Sequence, residues 1–166
     1  MTHYAVILAT FEGDPAKALP YLERYDAIKD DISLIDVVAI SREGDAEPTV
    51  EHRGKSRKAA GTGAVIGGLV GVLAGPGGVI FGAAVGGAVG GALKSLSHYG
   101  IPKAMLEQVE DGMAENSSSV LVIMEADRSD AIINELNRDG ATVIHYLAER
   151  DTFDSLSTPS KSISEQ

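Results

Sequence analysis

The sequence predicts an α+β fold, and three observations carry that expectation. Short segments rich in aliphatic and β-branched residues, His3–Thr10, Leu34–Ser41, Ser118–Glu125 and Ala141–Leu147, have the length and composition of strands. Between the members of each pair, apolar residues recur at helical spacing: Ala18, Leu22, Tyr25 and Ile28, then Ile132, Ile133 and Leu136. The third observation is an interruption, since Ala59 to Leu93 are 35 consecutive residues without a charge, 13 of them glycine. With that block set aside the order is β-α-β followed by β-α-β. This is the split βαβ plan of a ferredoxin-like sandwich, here with an inserted glycine-zipper helical hairpin.

The first strand is apolar on both faces, with Tyr4, Val6 and Leu8 alternating with Ala5, Ile7 and Ala9. No basic leader or cleavage site precedes it, so no secretory signal is expected. Asp14-Pro15 reads as an N-cap with proline at the first helical position, for a helix running to about Asp30. Pro20 lies inside that helix and should kink it or delay its start. The second strand is interrupted by Asp36, and EGDA (43–46) with the extended EPTVEH (47–52) predicts a short hairpin.

After the glycine block, Pro102 opens an expected helix with Met105, Leu106, Val109 and Met113 on one side. The strand SVLVIME is again apolar on both faces, Asp127 is placed to cap the next helix, and Gly140 to terminate it. His145 interrupts the final strand, and the Ser-rich DTFDSLSTPSKSISEQ reads as a loosely structured tail. The expected organisation is therefore 1–55 and 96–149 as two halves of one domain, a hairpin at 56–95, and a tail at 150–166. The first and third core strands should be central. Two helices cover only one sheet face, so self-association or the insertion should cover the other.

Within the block the glycines are periodic. Gly63, Gly67, Gly71 and Gly75 fall every four residues, as do Gly78, Gly82, Gly86 and Gly90. Such spacing lines one face of a helix with small residues, where a second backbone can approach closely. Gly75-Pro76-Gly77-Gly78 separates the two runs, and Pro76 with Gly77 marks the turn between helices near 56–74 and 79–95. A flexible linker is the bland alternative, but linkers lack the Val, Ile, Leu and Phe found between these glycines. No phosphate-cradling motif occurs in a strand–loop–helix context. Each arm would span ~24 Å against a hydrocarbon core of ~30 Å, so insertion into a bilayer favours assembled hairpins over a single one. For the halves to form one domain, both ends of the insertion should return to the same side.

Charge adds a second signal. The chain has 24 acidic and 14 basic residues, a net charge of −10, which disfavours general nucleic-acid binding. Yet Arg53, Lys55, Arg57 and Lys58 cluster just before the first arm, and Lys94 follows the second. That placement suits contact with anionic lipid headgroups and a cytoplasmic location for both ends of the hairpin. A solvated hairpin end is the alternative.

The basic stretch, the zipper AGTGAVIGGLVGVLAGPGGVIFGAAVGGAVGGAL, the following HYGIPKAMLEQVEDGM and the strand SSSVLVIME together resemble a bacterial and archaeal family of unknown function. Its members are described as predicted membrane proteins with a glycine zipper. The likeness runs to about residue 148, and the turn at Gly75 to Val79 and Tyr99-Gly100-Ile101 are its most specific pieces. It implies a ferredoxin-like module split by a two-helix hairpin and supplies no catalytic residues.

Candidates for chemistry are thin. Cysteine is absent, which excludes disulfides, thiolate metal sites and a cysteine nucleophile. The four histidines, His3, His52, His98 and His145, lack metal-binding spacing, although His3 and His145 would sit on neighbouring strands if the first and last strands pair. Ser117-Ser118-Ser119 lacks a nucleophile elbow and reads as a turn. Asp30-Asp31 and Glu110-Asp111 read as solvated helix ends. No enzyme activity, metal or cofactor is expected. The functional expectation is a self-assembling protein, its partners itself and anionic membrane lipid, with its soluble part facing the cytoplasm. The alternatives are a soluble, cytoplasmic homo-oligomeric scaffold or stress-related protein whose hairpins pack as a buried core, or a ferredoxin-like sensor that binds a small ligand.

Overall fold

The computed structural model describes residues 3–46, 49–54 and 114–149. The expected hairpin at 56–95, the expected helix from Pro102 and the tail at 150–166 lie outside the described residues.

Five strands, β1 (His3–Phe11), β2 (Leu34–Arg42), β3 (Thr49–Gly54), β4 (Ser117–Glu125) and β5 (Thr142–Glu149), form one sheet in the order β3-β2-β4-β1-β5. Every pairing is antiparallel. Helices α1 (Ala18–Ala27) and α2 (Ser129–Arg138) join strands within each half of the chain. The fold is thus α+β. Strands β1 and β4, apolar on both faces in the sequence, are interior, as their alternation requires. Strand β2 is interior as well, because the hairpin with β3 adds a strand outside it.

The first helix begins later than Asp14-Pro15 suggests. Asp14 Oδ1 accepts the N–H of Ala16 at 3.1 Å in a local turn, and the helix starts at Ala18. Pro20 then falls in the first turn, where its missing N–H leaves no intrahelical bond unmade. At the second helix, Asp127 makes no side-chain cap; it lies in a 3₁₀ turn (Ala126–Arg128) that leads into α2. The end of α2 follows expectation. Gly140 takes φ +90°, its N–H bonds to the Asn137 carbonyl at 3.1 Å, and Ala141 N–H reaches back to Leu136 at 3.0 Å. These two bonds form a Schellman motif.

Both helices pack on the same sheet face. Ala5, Ile7, Ala9, Val37, Ala39, Val120, Val122 and Met124 meet Leu22, Tyr25, Ile132 and Leu136 in one buried cluster. On the opposite face Val6, Leu8, Val38, Ile40, Leu121 and Ile123 are all at most 2% exposed. This second face is therefore buried within the single chain, and α1 and α2, committed to the first face, do not cover it.

The register fixes where the described chain on either side of 55–113 lies. Gly54 pairs with Asp36 at one end of β2, whereas Ser117 pairs with Arg42 at the other. Along a strand at ~3.3 Å per residue, those points lie roughly 20 Å apart. Gly54 and Ser117, the strand residues on either side of 55–113, therefore lie near opposite ends of β2.

Candidate functional site

Among the described residues, the densest grouping of ionisable and aromatic side chains lies in the seam between α1 and α2. Tyr21 and Tyr25 are four residues apart on α1, and Glu135 and Asp139 are four apart on and just after α2. Residues at that spacing share one helix face. The Tyr21 hydroxyl donates to the Asp139 carboxylate, and the Tyr25 hydroxyl donates to Glu135 at 3.3 Å. The two rungs run in opposite chain directions, so the helices are locked antiparallel. Arg24 adds an ion pair to Glu135 and lies over the Tyr25 ring, 5.9 Å from its centroid.

Phe11, at the end of β1, stacks on Tyr21 with centroids 5.4 Å apart and planes 12° from parallel. The Lys17 ammonium sits 5.6 Å from the Phe11 centroid. An open hollow of about 270 Å³ on this flank is lined by Lys17, Pro20, Tyr21 and Arg24.

Burial, reinforced by the hydrogen bond to Asp139, pushes the Tyr21 hydroxyl well above its ordinary pKa. Burial and then the charge of Glu135 do the same for Tyr25. Both phenols are therefore protonated donors at neutral pH. They can bridge helices and position a carboxylate, and they are unsuited to serve as bases or nucleophiles. The flank as a whole presents two cations and an aromatic wall.

The residues singled out from sequence distribute differently. Arg53 is on β3 opposite Val37, half-buried, and 3.7 Å from the Glu51 carboxylate. Lys55, Arg57, Lys58, the eight zipper glycines, Pro76 and Gly77 lie outside the described residues. Strands β1 and β5 do pair, yet His3 stands opposite Glu149 and His145 opposite Ile7. That register separates the two histidines by ~13 Å along the strands. Among the described residues, no group of three or more His, Asp or Glu could hold a metal ion, and no helix is long and apolar enough to cross a membrane.

The serine run is a strand start instead of a turn, and its hydroxyls are used. Ser118 Oγ accepts the Ala18 N–H at 3.1 Å and donates to the Asp14 carbonyl at 2.7 Å. Ser119 Oγ bonds the Thr10 hydroxyl at 3.0 Å, and Ser117 Oγ donates to the Ala114 carbonyl at 2.5 Å. The i,i+4 spacing of the tyrosines and of the carboxylates was visible in the sequence; that one pair would face the other was not.

These described residues define a small α+β domain, its antiparallel sheet covered on one face by two cross-linked helices. The family described as a protein of unknown function, DUF1269, matches residues 60–158, more than half of the chain, and the chain belongs to it. No curated protein and no solved structure matches the chain.

Proposed function

We propose that this is a non-enzymatic, self-assembling protein in which a ferredoxin-like domain presents a glycine-zipper hairpin to the cytoplasmic face of a membrane. The observation that carries the reading is the position of β4. It follows the insertion in sequence but lies between β1 and β2, which precede it. Strands from both sides of the insertion interlock, so the segment between Gly54 and Ala114 is tethered at both ends to one sheet. The order β2-β4-β1-β5, with all pairs antiparallel, supports the ferredoxin-like assignment.

The hairpin proper is proposed at 56–95, its glycine stripes packing against one another and against copies in other chains. A helix from Pro102 to Met113 would be ~18 Å long at 1.5 Å per residue, close to the distance between the two tether points. Its apolar Met105, Leu106, Val109 and Met113 would suit it to lie along the second sheet face. Lys55, Arg57 and Lys58 would meet anionic headgroups, each contributing about 1 kcal/mol near the surface.

Membrane fractionation of the full chain tests the proposal. Retention in the pellet after salt and carbonate washes is the expected result. Gly67→Leu and Gly86→Leu should reduce oligomer mass in detergent while the sheet domain stays folded, since forced overpacking costs about 1–3 kcal/mol. Complete recovery of the wild-type protein in the supernatant would refute the membrane reading.

A further inference from the structure

We infer that the outer edge of β5 is an interface at which two copies of this chain join their sheets into one; the inference deepens the self-assembly proposed above and rests on it. Among the described residues the sheet has two edges, β3 and β5, and they are built differently. The β3 edge carries Glu51 and Arg53, which pair with each other at 3.7 Å. Charges of this kind blunt an edge strand against further pairing. The β5 edge, Thr142–Glu149, has no lysine, arginine or proline, and its only carboxylate is its last residue. It is apolar where it should be guarded. Leu147 is 60% exposed, and Val143 and Ile144 are only partly buried.

The strand is also complementary to itself. When two copies extend one antiparallel sheet, the two-fold axis stands normal to the sheet, so opposed residues must lie on the same face. The axis then passes beside a single residue of each copy. Placing it at His145 overlaps nearly the whole strand. Val143 then faces Leu147 of the partner subunit, Ile144 faces Tyr146 of the partner subunit, and Glu149 lies opposite Ala141 of the partner subunit. The exposed Leu147 gains an apolar neighbour, the partly buried Val143 and Ile144 are covered, and the carboxylates stay apart at the two outer ends. A partner of different sequence would have to supply the same pattern; a second copy already has it.

The absence of cysteine from the chain makes the test direct. Directly opposed residues have Cβ atoms about 4.5–5.5 Å apart, near the reach of a disulfide. Mild oxidation of full-length His145→Cys should therefore give a covalent dimer on a non-reducing gel. Leu19→Cys, 39% exposed on α1, should not. Leu147→Lys, and the milder Leu147→Thr, should weaken association about tenfold or more by sedimentation, with circular dichroism confirming an intact fold. If the wild type assembles, but the His145→Cys variant does not cross-link and neither Leu147 variant changes the mass, the β5 interface is wrong and self-assembly survives. A wild type that sediments as a monomer at all concentrations overturns both.

Discussion

Ser118 caps a helix that begins one hundred residues before it: its Oγ accepts the Ala18 N–H at 3.1 Å and donates to the Asp14 carbonyl at 2.7 Å. Lys17, the residue at the cap position itself, makes no side-chain cap. A strand from beyond the insertion thus satisfies an orphan donor at the start of α1, and the hydroxyl is buried. Ser118→Ala removes an acceptor and a donor at once. It should destabilise the domain by about 1–3 kcal/mol, the cost of leaving buried backbone groups unpaired. Denaturant unfolding with an unchanged slope is the check. A change under ~0.5 kcal/mol would mean water reaches both groups.

The rungs between α1 and α2 should differ in worth. Asp139 is exposed, so Tyr21→Phe loses one hydrogen bond but keeps the stack on Phe11 and leaves a solvated carboxylate behind. A cost near ~0.5–1 kcal/mol is expected. Glu135 is more sheltered and shared by Tyr25 and Arg24. Glu135→Ala should therefore cost more than Tyr21→Phe. In a Tyr25→Phe/Glu135→Ala double-mutant cycle the two residues should couple, whereas Tyr21→Phe and Glu135→Ala should be closer to additive. Equal costs and no coupling would show that the seam is held by apolar packing alone.

Alkaline pH should unfold this domain earlier than its carboxylates alone would suggest. Tyr21, Tyr25 and Tyr146 all have their pKa raised above the ordinary value of 10.0, burial being the largest cause in each. Above that value the unfolded chain loses protons that the folded chain keeps. The unfolded state then binds fewer protons, and stability falls with rising pH. The contribution is complete below about pH 10 and declines as pH rises toward the folded-state values. Phenolate absorbance should show these tyrosines ionising together with the loss of helical circular dichroism. Independent, early ionisation of all five tyrosines would contradict it.

Much of this arrangement was legible in the sequence because it depends on local pattern. The alternation in His3–Thr10 and SVLVIME marks strands buried on both faces, and β1 and β4 are interior. Gly140 ends α2 because only a left-handed residue closes a helix that way. What was not legible depends on partners distant in sequence. Three consecutive serines suggest a turn because their hydroxyls compete with backbone bonds; here Thr10, Asp14 and Ala18 satisfy two of those hydroxyls across the fold. The α1–α2 seam was half visible, as two separate four-residue spacings whose meeting is decided by the sheet that positions both helices. The separation of His3 from His145 is a matter of register, and composition carries no register between the first and last strands of a chain.

Gly140 allows a conformational cost to be measured without a packing cost. Its φ of +90° is one that L side chains rarely adopt, yet a Cβ built there meets nothing within 4 Å. Any penalty of Gly140→Ala therefore comes from backbone conformation, and the left-handed region costs an L residue about 1–2 kcal/mol. Gly140→Asn should cost less than Gly140→Ala, because asparagine tolerates this region through local hydrogen bonding of its side chain. Bulk should matter little, so Gly140→Leu should resemble Gly140→Ala to within a few tenths of a kcal/mol. Thermal unfolding of the three variants ranks them. An order of Asn, then Ala and Leu together, supports a purely conformational role at the end of α2. A leucine variant much worse than alanine would place an unseen neighbour beside that turn.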